Sequence, residues 1–222
     1  MSRQMVRNPF FEGVIYIIIF IWFLLVALPL QAGAAEDSHG ETGFSMGLNT
    51  VVIPFISGTA GNGPGAPEYD DLFGTGRSFA LEAEKRINNH VSLIAGVGYE
   101  KYPGETFQGM SFDDLEIIPF SAGCRFHLLT NSPLQASVGA RIGLTYISSV
   151  NVSWNSLKGN YWNSSWVPAG DIDLVLGRRI NNWNFSAGVS IRYTGAPDND
   201  FPAAEADGFW TVPLQFNISY CF

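Results

Sequence analysis

Charge is scarce in this chain: Asp, Glu, Lys and Arg make up only 14% of its 222 residues, while 46% are hydrophobic. That ratio is apolar for a soluble domain of ordinary size. Positive charge is the scarcer sign, with 12 Lys and Arg against 20 Asp and Glu, which excludes the basic surface that nucleic acid requires. Two cysteines, Cys124 and Cys221, are too few for the disulfide framework that substitutes for a core in small exported domains. Helical periodicity is missing as well, because from Gly43 onward no apolar set recurs at helical spacing over three turns.

A long hydrophobic run is present only once, from Val14 to Leu30 (VIYIIIFIWFLLVALPL), with Arg3 and Arg7 before it and Gln31-Ala32-Gly33-Ala34-Ala35 after it. A basic start, an apolar middle and small residues at an A-x-A site predict a signal peptide over residues 1–34, cut after Ala34, or else after Ala35. The competing reading is an uncleaved anchor, since about 17 apolar residues lie at the lower limit for crossing a bilayer. Pro29 and the Ala/Gly cluster suit a peptidase site better. Cleavage removes Arg3, Arg7 and Glu12, so two positive charges and one negative one leave and the net charge moves from −8 to −9. Residues 35–222 form the mature domain.

The rest of the chain alternates with period two in eight segments. The last is the clearest: Trp210, Val212, Leu214, Phe216, Ile218, Tyr220 and Phe222 share one face, and Thr211, Gln215, Asn217 and Ser219 the other. The first, roughly Gly43 to Ser57, is the least regular, its apolar face switching near Val51. Connections alternate too. The short ones are Asn88-Asn89, Leu129 to Pro133 and Asn181-Asn182; the long ones are Gly58 to Thr75, Pro103 to Ser111, Asn151 to Ser165 and Ala196 to Gly208. Short turns on one side and long loops on the other predict an all-β, eight-stranded antiparallel up-and-down transmembrane β-barrel, with its turns and both termini in the periplasm.

Two further patterns support that reading. RINNHVSLIAGV and RINNWNFSAGV, beginning at Arg86 and Arg179, repeat an Asn-Asn pair suited to two-residue hairpins. Aromatics collect at strand ends, with Phe126, Trp183, Tyr220 and Phe222 near the turns and Tyr99, Tyr146, Trp166, Tyr193 and Trp210 near the loops, as two interfacial girdles require.

The terminal run of Leu214, Phe216, Ile218, Tyr220 and Phe222 resembles the signal that the barrel-assembly machinery reads. With the leader and eight strands, the chain resembles the small barrels of the OmpA, OmpX and opacity-protein superfamily. The resemblance implies an outer-membrane location, that assembly machinery as a partner, and lipid and lipopolysaccharide as surroundings. It rests on pattern, so it carries fold and place further than function.

By parity the inward faces carry Glu82, Glu84, Arg86, Glu100, Arg125, Arg141, Asp171, Asp173, Arg179 and Arg192. Five acids and five bases in a low-dielectric tube must pair, so a salt-bridged plug in place of a hydrophobic core is expected, with a narrow ion path as the alternative. Glu116 faces outward by parity unless a bulge at Pro119 switches it. Cys124 faces lipid and Cys221 the lumen, on strands that are not neighbours, so no disulfide is expected.

Catalytic, cofactor and metal sites are not indicated. A lipid A-modifying barrel would need a Ser–His pair near the outer face, but His39 precedes the first strand, His90 lies beside a turn, and His127 lies at the turn end of the fourth strand as a hydrogen-bonded interior residue. The loops are acidic (Glu68, Asp70, Asp71, Asp113, Asp114, Asp198, Asp200, Glu205, Asp207), but their spacing matches no EF-hand loop. Trp154, Tyr161 and Trp162 offer an adhesive surface or a membrane contact. The expected function is therefore non-enzymatic: envelope integrity or contact with a surface ligand through the loops. A small-solute or hydrophobic-molecule porter of OmpW type is the alternative, and a lipid A-modifying enzyme is third.

Overall fold

The computed structural model describes residues 43–222 apart from residues 55, 63–64, 130–133, 156 and 200–204. The leader expected at residues 1–34 lies outside the described residues. Eight strands form the wall: β1 (Phe44–Ile53), β2 (Gly76–Arg86), β3 (Val91–Tyr102), β4 (Leu115–His127), β5 (Leu134–Ile147), β6 (Ser165–Ile180), β7 (Trp183–Thr194) and β8 (Leu214–Cys221). Each pairs antiparallel with the next, and β8 pairs back onto β1. Closure leaves the wall without an open edge, the condition a sheet must meet to stand in hydrocarbon.

The wall is apolar on its outside. Ile142 is 78% and Ile172 63% exposed, whereas inward-facing Asp173 is 1% exposed, the reverse of a soluble protein. Pro119 causes no switch, since β3 and β4 keep one register from Val97↔Phe120 to Glu100↔Ile117. Glu116 therefore faces outward, 3.8 Å from Lys101. The alternation of β1 is equally unbroken to Ile53. Its apolar pattern changes near Val51 because the interior itself becomes apolar at that level, with Val51 and Ile53 buried. The bulge comes later: β1 meets β8 at Val52↔Leu214, but Ile56–Ser57 meets Phe209–Thr211 at Ile56↔Thr211, one residue out of step. Segment Phe209–Thr211 extends β8 along β7 in unchanged register; Pro213, which has no N–H to give, interrupts the ladder.

The two Asn-Asn hairpins differ. Ile180 pairs with Trp183 across a two-residue turn in which Asn181 takes φ 55°, the left-handed region that Asn tolerates. At the other, the Asn88 side-chain oxygen accepts from the backbone N–H of His90 (2.8 Å) and Val91 (2.9 Å). There Ile87 and Asn88 both donate to the Val91 carbonyl, which makes a longer turn. Identical letters give one backbone solution and one side-chain solution.

The described parts of the long loops carry local structure. The first carries one helical turn, Tyr69–Leu72, closed by a capping box between Glu68 and Asp71. Segments Thr106–Phe107 and Met110–Phe112 of the second loop join Val150–Trp154 and Leu157–Trp162 of the third in a four-stranded sheet. Both girdles are present. At the turn end Trp183, Tyr220, Phe222 and Phe44 follow one another at ring-centroid distances of 5.1, 5.1 and 6.1 Å. At the loop end Phe79 meets Tyr99 (5.6 Å), Tyr146 meets Trp166 (5.4 Å) and Tyr193 meets Trp210 (5.1 Å).

Candidate functional site

Inward parity on four strands builds one charged cluster in the middle of the lumen. β2 supplies Glu82 and Glu84, β4 Arg125 and His127, β5 Arg141, and β6 Asp171 and Asp173. Arg141 and Asp171 face each other directly in the β5–β6 register. Glu82 is held from two sides, by Arg125 (2.8 Å) and Arg141 (2.9 Å). Arg125 also reaches Glu84 (2.8 Å), and Arg141 reaches Asp171 (2.9 Å) and Asp173 (3.0 Å). Asp173 fits because residue 139 is glycine: a Cβ there would stand 2.6 Å from the Asp173 carboxylate oxygen. A separate pair, Glu100 and Arg192, lies nearer the loops, where the Tyr102 hydroxyl donates to Glu100 (3.1 Å).

Two of the ten residues expected in this network are elsewhere. Arg86 donates to the Asn89 carbonyl (3.0 Å) and Arg179 to the Asn181 carbonyl (2.9 Å), so each ties down a turn. Both face inward by parity, but they stand at the strand ends, beyond reach of the central carboxylates. His127 belongs to the cluster, its Nε2 3.1 Å from Glu84 and 2.8 Å from the Ser92 hydroxyl. Its position two residues beyond Arg125 was the available signal. Ser92, His127 and Glu84 do not form a nucleophilic relay, because serine and carboxylate share one ring nitrogen, whereas a relay places them on opposite nitrogens. Ser92 is also 0% exposed.

The plug is charged only in its lower part. Toward the loops the interior is hydrophobic: Tyr69, Leu72 and Phe73 of the first loop, Trp162 of the third and Phe209 pack on Val51, Ile53, Tyr102, Leu115, Ile117 and Ile147. Tyr69 stands 4.7 Å from Phe209 and 5.3 Å from Trp162, ring centre to ring centre. Its hydroxyl donates to the Asp207 carbonyl (3.0 Å), and burial raises its pKa far above the usual phenol value. The Tyr161 hydroxyl donates to the Ala60 carbonyl (2.8 Å) and is also raised by burial. The expected surface trio therefore splits: Trp162 is 0% and Trp154 55% exposed. Between the layers a cavity of about 40 Å³ is bordered by Asn49, Glu82, Glu100, Thr145, Asp171 and Arg192, and one of about 10 Å³ by Asn49, Glu82, Arg125, Gln215 and Asn217. These spaces suit a few water molecules.

At the seam, Phe216 (46%), Ile218 (50%) and Phe222 (74%) face outward from β8, with Leu214 and Tyr220 half-buried on the same face. The Phe222 N–H donates to the Phe44 carbonyl (2.9 Å), joining the two ends of the barrel. Cys124 is exposed on the outer face, Cys221 is half-buried, and both are free.

No family model and no curated protein matches the chain. Among solved structures it is similar to Neisserial surface protein A (17% identity, TM-score 0.52, covering 83% of this chain and 100% of that one). It is similar also to the outer membrane protein OprG from Pseudomonas aeruginosa (12% identity, TM-score 0.55, 83% and 98% covered). At such identities the likeness is one of fold. With its closed wall and inside-out polarity, the chain has the eight-stranded barrel fold of these outer-membrane proteins.

Proposed function

We propose that this chain is an exported outer-membrane protein that acts at its outer surface, through its loops, without conducting solutes and without catalysis. The observation that carries the reading is the apolar cap: Tyr69, Phe73, Trp162 and Phe209 fill the loop end of the interior, so the mouth is built as a lid and support for a surface. In this reading residues 1–34 are the leader and the short turns and both termini are periplasmic. Leu214, Phe216, Ile218, Tyr220 and Phe222 are read by the barrel-assembly machinery, and lipid and lipopolysaccharide surround the wall.

The contact surface is the tip of the third-loop hairpin, where Trp154 (55%) and Leu157 (69%) stand exposed. At the end of the second loop Lys101 pairs with Asp114 at 2.7 Å. A hydrogen bond from Lys101 and another from the Gly104 N–H hold the Asp114 carboxyl below its usual value. A strain lacking the chain, complemented with wild type or with Trp154→Ser/Leu157→Ser, tests the reading. Both forms should assemble, and only wild type should restore envelope resistance to detergent or surface attachment. Full restoration by the double variant would remove the proposed surface. Mass spectrometry of lipid A from expressing cells should show no change of acylation; a shift by an acyl chain would make the chain an enzyme.

A further inference from the structure

Taking the turns as periplasmic, as the proposed function does, we infer that the turn end of the wall is a docking surface for anionic phospholipid of the inner leaflet, with Lys85 and Arg178 receiving the headgroup phosphates. Outward charge is placed unevenly along the wall. Two hairpins are entered by a pair of bases and the same three letters, Lys85-Arg86-Ile87-Asn88-Asn89 and Arg178-Arg179-Ile180-Asn181-Asn182. Alternation splits each pair. Arg86 and Arg179 face inward and hold turn carbonyls, so Lys85 and Arg178 face outward with the apolar side chains of β2 and β6. These strands are four apart in a ring of eight, which puts the two bases on opposite sides of the barrel. Among the described residues the outward face of the eight strands carries one acid, Glu116, and it lies at the loop end beside Lys101.

The surroundings of the two bases match a phospholipid at the membrane boundary. In the cross-strand register Lys85 lies between Phe44 and Leu93, and Arg178 between Phe185 and Leu134. Phe44, Leu93 and Phe185 are exposed, so each base has apolar neighbours for acyl chains and a long stem that carries its charge to the headgroup level. Phe44 belongs to the girdle of Trp183, Tyr220 and Phe222, which marks that level. Lys85 is exposed and has no ion pair among the described residues. Glu84, two residues before Arg86, is already held by Arg125 and His127. The charge of the partner follows. A zwitterionic headgroup brings an ammonium with its phosphate, and the wall at this level has no acid to receive it, whereas phosphatidylglycerol brings the phosphate alone.

The test uses the full mature chain refolded in phosphatidylcholine vesicles that contain phosphatidylglycerol as a minor component. Electron spin resonance of spin-labelled lipids measures which headgroup stays against the wall. Phosphatidylglycerol should be enriched there about fivefold over phosphatidylcholine, the effect of one base at a membrane surface. Lys85→Gln combined with Arg178→Gln should bring the ratio near one. Arg178→Lys, which keeps the charge, and Arg77→Gln, which removes an outward base at the loop end of the same strand as Lys85, should both leave the enrichment in place. Equal association of the two lipids with the wild-type wall would overturn the inference, as would a preference that survives the double variant or that Arg77→Gln abolishes. The leaflet is tested separately in intact cells, with Asn89→Cys in a Cys124→Ser, Cys221→Ser chain and a thiol reagent too large to cross the outer membrane. No labelling is expected. Labelling would overturn the inner-leaflet assignment together with the periplasmic placing of the turns; no labelling and no lipid preference would overturn the lipid site and leave that placing intact.

Discussion

Arg141 shows how much a single lumen residue carries. It touches Glu82, Asp171 and Asp173 within 3.0 Å, so Arg141→Ala leaves three buried carboxylates short of counter-charge. The variant should lose about 3–5 kcal/mol of stability, read from urea unfolding in lipid vesicles; a loss under about 1 kcal/mol would mean that water already screens the cluster. Alternation makes the facing of these residues legible in the sequence, including outward Cys124 and outward Glu116. Depth was not legible. Parity names the side of the wall a residue takes, not how far along the tube water reaches, so Arg86 and Arg179 looked like network members and turned out to serve turns. The cysteines give a second residue-scale outcome: titration of denatured, unreduced protein should find two free thiols. In the folded state Cys124 should react with membrane-soluble reagents. A Cys124–Cys221 disulfide would contradict the register, because the two strands are not neighbours in the wall.

Among the elements, the two hairpins make opposite demands on the same Asn-Asn letters. Asn181 supplies a left-handed backbone, so Asn181→Gly should be tolerated and Asn181→Val should cost about 1–2 kcal/mol. Asn88 supplies a side-chain acceptor to two N–H groups, so Asn88→Gly should be as damaging as Asn88→Ala. Equal tolerance of glycine at both sites, in the same unfolding measurement, would show that the turns are alike after all. A tetrad of letters does not say which solution the backbone takes, because the difference lies in how many residues the flanking register leaves between the strands. The order in the loops was similarly hidden. Segments of two to six residues with mixed polarity, such as Met110–Phe112 and Leu157–Trp162, carry little periodic signal, and they become strands by pairing with one another. The last strand was the most legible, and it yields the assembly outcome. Deleting Phe222 should leave export intact and trap unfolded chain in the periplasm; a normal heat-modifiable band on gels would refute the assembly role of the terminal aromatic.

At the largest scale, the described barrel is two interiors stacked in one wall. The charged lower part follows from inward alternation of acids and bases. The apolar upper part is assembled from loop residues distant in sequence, Tyr69, Phe73, Trp162 and Phe209, which period-two analysis of strands does not reach. Under the proposed function they close the lumen to solutes, and closure would separate a surface protein from a porter. Planar-bilayer recording of the refolded mature chain measures this directly. The predicted result is a silent membrane for wild type, with conducting events appearing only when the cap is hollowed by Trp162→Ala combined with Phe73→Ala; steady single-channel steps from the wild-type chain would contradict the account.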